Sequence, residues 1–287
     1  MTQGDVQPTA FPSIEPLRAR SMLFTLYGDY AYPRGQAIGL QGLVTFGARL
    51  GIGETAVRSA VARLTRQDWL APRKGGNRRA YGLTEPGRRL IDEGTRRIYK
   101  PRSGSWDGRW CLLTYSIPEA RRAARDRIRR QLAWLGFGSL GGGTYVSPRR
   151  VEIEVLALVR AHGADRFARI FEARLSGPGA DADLVRQCWD LAAIGRKYEN
   201  FVAHYEPMHK RDVRRARTGA LTAASAFTAR FALTHDFRRF PFIDPDLPRE
   251  LVPHSWPGFH ARNLFEEYHG MLTDAALRYF DGVNDGI

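Results

Sequence analysis

The residues with the clearest chemistry are arginines. Between Arg49 and Arg79 the chain carries eight basic residues and two acidic ones. An arginine presents a fixed fork of N–H donors that matches phosphate oxygens and the acceptor edge of guanine. Their spacing puts several on one surface. In ETAVRSAVARLTRQDWL, Ala56, Val57, Ala60, Val61 and Leu64 recur at i, i+1, i+4, i+5 and i+8, one apolar face at helical period. Thr55, Arg58, Ser59, Ala62, Arg63 and Arg66 are left on the other face. A small, basic outward face suits a helix that enters the major groove. Thr55, Arg58, Ser59, Arg63 and Arg66 are therefore the candidate recognition-helix residues, with Arg58 the best placed for a base edge. The run PRKGGNRRAYGLT then reads as two short extended stretches joined by a glycine turn. Its Arg73, Lys74, Arg78 and Arg79 should hold phosphates, which gives affinity and salt dependence rather than sequence choice. An ordinary amphipathic helical hairpin with a solvated face is the alternative.

The elements that must position these residues form an α+β multidomain chain. LQGLVTFGARL and the arginine-bearing helix, broken at Gly51 to Gly53, read with the basic hairpin as a winged helix-turn-helix over residues 14–100. Ile14 to Tyr32 is expected as its first helix, and Glu85 to Lys100 as a closing helix with Leu90, Ile91 and Ile98 inward. Residues 1–13 read as a disordered arm. PRSGSWDG makes a linker. Residues 106–176 read as β-α-β-β-α-β, a ferredoxin-like order: Trp110 to Ser116, Glu119 to Leu135, FGSL, GTYVS, Val151 to His162, and Phe167 to Leu175. Residues 181–287 read as all-helical, with helices at Leu184 to Tyr205, Val213 to Leu233 and Ala261 to Phe280 around a proline-rich loop.

Charge is uneven along the 287 residues. The balance is +8 over residues 1–100, +7 over 101–180 and −1 over 181–287. A concentrated positive surface attracts polyanions and releases their counterions on binding. Only four of the 44 basic residues are lysine. Such a bias also arises from genome base composition, so location rather than residue type carries the argument. No apolar run approaches the roughly 20 residues of a membrane span. Two cysteines, Cys111 and Cys188, give neither a disulfide framework nor a metal cluster, and the expected compartment is the cytoplasm.

GDY (Gly28 to Tyr30), VRSAVARLTRQDWL, YGLTEPGRR, RRIY (Arg96 to Tyr99), WDGRW, SIPE, LAWLGFG, VSP and FRRFPFIDPDLPRELVPHSWPG occur in one order over nearly the whole chain. Together they resemble the PaaX family, repressors of phenylacetate-degradation operons. The resemblance implies a homodimeric DNA-binding repressor, not an enzyme. It also implies release from double-stranded operator DNA by an aryl-acetyl-CoA such as phenylacetyl-CoA, with no cofactor. An activator or dual regulator using the same site, and an acyl-thioester enzyme, are the other readings.

Other motifs carry less. Gly136-x-Gly138-x-x-Gly141 follows a helix and precedes a strand, the reverse of a dinucleotide-binding turn, so it reads as a turn. The middle region also resembles the small CRISPR-associated nuclease fold, but Ser116 stands where that fold needs a metal-binding aspartate, and a hydroxyl cannot replace the carboxylate. Six of seven histidines follow residue 200 without zinc-ligand spacing. Lys210 to Arg217 fits a solvated helix face, or a clamp for coenzyme A phosphates through Arg214 and Arg215. Arg238, Arg239 and Phe240, with Trp256, could serve the same effector or pack a loop.

Overall fold

The structure, a computed structural model, describes residues 13–14, 16–75, 78–99, 105–177 and 180–285. Helix α1 (Ala19–Leu26) runs into a π-helical turn (Tyr27–Ala31) and a short 3-10 turn (Tyr32–Arg34). Strand β1 (Ile38–Gly39), α2 (Leu40–Arg49), α3 (Glu54–Arg66), β2 (Leu70–Gly75), β3 (Arg78–Leu83) and α4 (Glu85–Tyr99) follow. Next come β4 (Trp110–Tyr115), α5 (Arg122–Trp134), β5 (Gly138–Gly141), β6 (Thr144–Ser147), α6 (Glu152–Ala161) and β7 (Ala168–Ala173). Helices α7 (Ala180–Cys188), α8 (Leu191–Arg217), α9 (Ala223–Phe237) and α10 (Pro257–Asp285) complete a mixed α+β chain with a helical C-terminal region.

These elements fall into two compact units. The first joins the N-terminal stretch through α4 to Glu199–Arg239 and residues 258–285; the second contains residues 105–198 and Phe240–Pro257. The helical stretch expected over 181–287 is thus shared between both. Its helices differ from expectation as well. The first is two helices, α7 and α8, and the second begins only at Ala223, after a break at Thr218–Thr222. Thr222 caps α9, its side-chain oxygen accepting from the Ser225 amide at 3.2 Å. That local cap competes with helix continuation, which periodicity alone does not reveal.

In the first unit, three strands pair antiparallel in the order β1-β3-β2. Leu70 lies opposite Leu83 and Gly75 opposite Arg78, so the hairpin closes across residues 76–77, which lie outside the described ones. Val57, Ala60, Val61 and Leu64 of α3 are buried as the period requires, whereas Ala56 is exposed. Gly47 of α2 permits this packing: a Cβ there would lie 2.6 Å from a Val57 methyl. Ile91 of α4 is buried, in line with Gly87 one turn earlier, but Leu90 stands off that face and is 40% exposed. Phe46 of α2 stacks on Phe227 of α9 and Phe280 of α10 at 5.2 and 5.0 Å, so the α2–α3 pair rests on C-terminal helices.

In the second unit, the sheet order is β5-β6-β4-β7, all neighbours antiparallel. Alternation along β4 sends Cys111, Leu113 and Tyr115 to one face, where Ile128, Leu132, Val155 and Val159 of α5 and α6 cover them. Trp110 and Leu112 point to the opposite face, against Leu184 and Val185 of α7 and Leu247 and Leu251 of the segment before α10. Gly136 ends α5 at φ +85°, and β5 follows directly, as the turn reading of that glycine motif requires.

Candidate nucleic-acid interface

Helix α3 begins after Gly53, whose extended backbone supplies no side-chain cap, so the first-turn amides face outward without a side-chain partner. Thr55, Arg58, Ser59, Arg63 and Arg66 are all exposed on this helix. The Arg58 Nε donates to Glu54 Oε1 at 2.7 Å. An exposed i,i+4 pair of this kind contributes only about 0.3–0.5 kcal/mol, so a phosphate or a guanine edge can compete for the guanidinium.

The hairpin follows α3 directly. Arg73 and Arg79 are exposed, and an Arg73 Nη2 donates to the Leu83 carbonyl at 3.4 Å. The backbones of Lys74 and Arg78 pair with Arg79 and Gly75; their side chains lie outside the described residues. Trp69, between helix and hairpin, holds the Arg20 guanidinium 4.9 Å above its ring. Gly87 lets α4 close on this turn, because a Cβ there would stand 2.2 Å from the Trp69 carbonyl oxygen.

The site rests on a buried group that residue patterns did not single out for a role. Asp29 sits in the π-helical turn, 4% exposed, surrounded by four side chains from three elements, α4, α9 and α10. Its Oδ1 accepts from the Tyr99 hydroxyl at 2.6 Å and from Arg230 Nη2 at 3.1 Å, and lies 3.0 Å from His269 Nε2. Its Oδ2 accepts from the Thr234 hydroxyl at 3.2 Å. Burial opposes the charge, but Arg230, then His269, then these hydrogen bonds hold the carboxyl at about 2. The Arg230 guanidinium also lies 4.6 Å from the Tyr30 ring centre. Asp29 stands in GDY and Tyr99 in RRIY, so the only sequence signal was those two short motifs.

The residues expected to meet an effector have varied surroundings. Arg214 is exposed near the end of α8, and Arg215 donates to Asp212 and the Ala220 carbonyl, each at 3.3 Å. Arg239 is exposed; Arg238 donates to the hydroxyl of Ser21, and burial together with Arg239 lowers it to about 10, still charged near neutral pH. His235 nearby is pushed down to about 3 by burial and these two arginines, and so is neutral. Phe240 and Trp256 belong to the second unit, where Phe240 stacks on Tyr198 at 3.9 Å and Trp256 meets the same ring edge-on at 5.9 Å. Among the described residues no group of three or more His, Cys, Asp or Glu could hold a metal ion. No helix there is long and apolar enough to cross a membrane.

Three family models match consecutive stretches. They are a PaaX-like protein model over residues 18–87, a PaaX protein central Cas2-like domain over 103–185, and a PaaX-like protein C-terminal domain over 189–282. Transcriptional repressor PaaX of Escherichia coli (strain K12) is 32% identical over 267 residues, covering 92% of this chain and 83% of that one. The chain belongs to the PaaX family. Among solved structures, an uncharacterized protein from Mycobacterium tuberculosis superposes with a TM-score of 0.63. That likeness has 23% identity and covers 93% of this chain and 99% of the other, so it speaks to fold alone. The first PaaX match contains Asp29 and the whole of α3 and the hairpin, and the third contains all six residues expected to meet an effector.

Proposed function

We propose that this protein is a DNA-binding transcriptional repressor of an aromatic-acid operon. In this reading α2, α3 and the β2–β3 hairpin form a winged helix-turn-helix, and the β5-β6-β4-β7 sheet with α5 and α6 forms a ferredoxin-like domain. The single observation that carries it is the exposed arginine face of α3, set beside a basic hairpin in a chain that matches a named repressor over 92% of its length. Arg58 reads a base edge, with Thr55, Ser59, Arg63 and Arg66 on the same recognition face; Arg73, Lys74, Arg78 and Arg79 hold phosphates. A homodimer presents two such helices to a two-fold operator in the cytoplasm. Release follows when an aryl-acetyl-CoA such as phenylacetyl-CoA binds the non-DNA conformation better, and DNA must then weaken effector binding by the same factor.

Fluorescence anisotropy of DNA from upstream of the gene's own operon, against a random duplex, tests this reading. Specific binding reversed by phenylacetyl-CoA is the expected result; no preference over random DNA overturns it. Arg58→Ala should cost about 1–3 kcal/mol of discrimination at one base pair. Arg79→Ala should weaken all duplexes alike and reduce the salt slope by about 1. Replacing Arg214, Arg215, Arg238, Arg239, Phe240 and Trp256 singly and titrating with phenylacetyl-CoA identifies which of them the effector needs. An acyl-thioester enzyme would need an activated nucleophile. Burial instead pushes the thiols of Cys111 and Cys188 up to about 12 and about 11.

A further inference from the structure

We infer that helix α5 of the second unit is a further DNA-contacting surface, one that holds duplex phosphates by its own arginines. The inference rests on the DNA-binding reading above but assigns a second, separate contact. The +7 balance of residues 101–180 nearly equals that of the reader, and the −1 balance of the following third argues against base composition as its source.

Five of the 14 basic residues behind that balance lie on one element, α5. Ile128 and Leu132 turn α5 inward, which leaves Arg122, Arg129 and Arg130 exposed, with Arg121 exposed just before the helix. Arg122 and Arg125 approach Glu119 at 3.7 and 2.9 Å, and Arg122 reaches Asp126 at 4.0 Å. Among the described residues no acidic group lies within 4.0 Å of Arg129 or Arg130. Arg121 is held by the Gly163 carbonyl at 2.8 Å. With Arg166 it flanks the Phe167 ring, at 5.4 and 4.7 Å from its centre, so two further guanidiniums are pre-positioned beside the start of the helix.

Uncompensated like charges repel one another, and an opposing polyanion relieves the repulsion. The form of the surface favours an extended polyanion over a small phosphate ligand, which calls for a concave site. From Arg122 to Arg130 the helix rises about 12 Å, long enough to span neighbouring phosphates of one duplex strand.

The test uses the full chain and a random-sequence 40-bp duplex, with anisotropy followed across a salt series. For every phosphate that the protein no longer neutralises, the slope of log K against log salt falls by about 0.9. The triple variant Arg122→Ala/Arg129→Ala/Arg130→Ala should therefore show a slope smaller by about 2–3 and bind roughly tenfold more weakly at 0.15 M salt. Lysine at the same three positions should restore most of the binding, which a purely structural effect would not. Circular dichroism melting controls for folding. Affinity and slope equal to wild type would overturn the inference. An Arg58→Ala/Arg63→Ala variant in parallel separates the two claims. If that pair abolishes the preference for upstream DNA while the α5 triple changes nothing, the repressor reading stands and this one falls. If the pair leaves that preference intact while the α5 triple lowers the slope, the α3 assignment falls and this one stands.

Discussion

Asp29→Ala is expected to destabilise the first unit by about 3–5 kcal/mol, because it leaves the Arg230 guanidinium buried without its counter-charge. In a chain of this size that corresponds to a fall in Tm on the order of 10 °C, measurable by scanning calorimetry. Two further Arg230 nitrogens, Nε and Nη1, are buried without a hydrogen-bond partner among the described residues, so the guanidinium depends on the carboxylate. Replacing both partners, Asp29→Ala with Arg230→Met, should recover part of the loss, since an apolar pair carries no uncompensated charge. A single variant that melts within a degree or two of wild type would refute the account. The same group contributes to acid sensitivity. Its folded pKa of about 2 lies below the ordinary 3.8, so its stabilisation is complete above pH 3.8 and is lost as pH falls toward 2. The stability gap between wild type and Asp29→Asn should narrow over that interval.

Gly143→Val should be comparably severe in the second unit. Gly143 joins β5 and β6 at φ +80°, where a β-branched residue is strained by roughly 1–3 kcal/mol. A Cβ there would also stand 2.3 Å from the Tyr115 carbonyl oxygen of the central strand β4, adding about 1–3 kcal/mol of overpacking. Gly142→Ala isolates the first contribution, because φ is +56° but, among the described residues, no atom beyond its chain neighbours lies within 4 Å of the added methyl. Urea titration should place Gly143→Val well below Gly142→Ala; equal midpoints would mean that the collision relaxes without cost.

Elements built from local contacts were legible in the sequence. Four of the five inward residues of α3, the basic hairpin and the β-α-β-β-α-β order follow from periods of 3.6 and 2, and the helices and strands from α3 to β7 lie within a few residues of those expected. The exposed arginines of α3 were legible for the same reason. The π-helical turn was not, since Tyr27–Ala31 continues the pattern of α1 while widening its hydrogen-bonded ring. Nor was the Asp29 cluster, whose partners Arg230, Thr234 and His269 lie more than 200 residues away in the chain. Composition places a carboxylate and an arginine in the same protein but does not pair them. The rings of Phe240 and Trp256, read as possible ligand contacts, also meet Tyr198, a partner that spacing does not reveal.

The discontinuous first unit has a consequence for how the protein is made. Phe46 packs on Phe280, and Asp29 on His269, so the core of the first unit lacks its last components until α10 has been translated. At about 5–20 residues per second, α2 and α3 wait roughly 10–50 s between their own synthesis and that of their supports. Chains terminated early, by a nonsense codon or a stalled ribosome, therefore leave an unsupported N-terminal fragment. Apolar surface that α9 and α10 would cover is left open in such a fragment, which makes it a ready substrate for quality-control proteases.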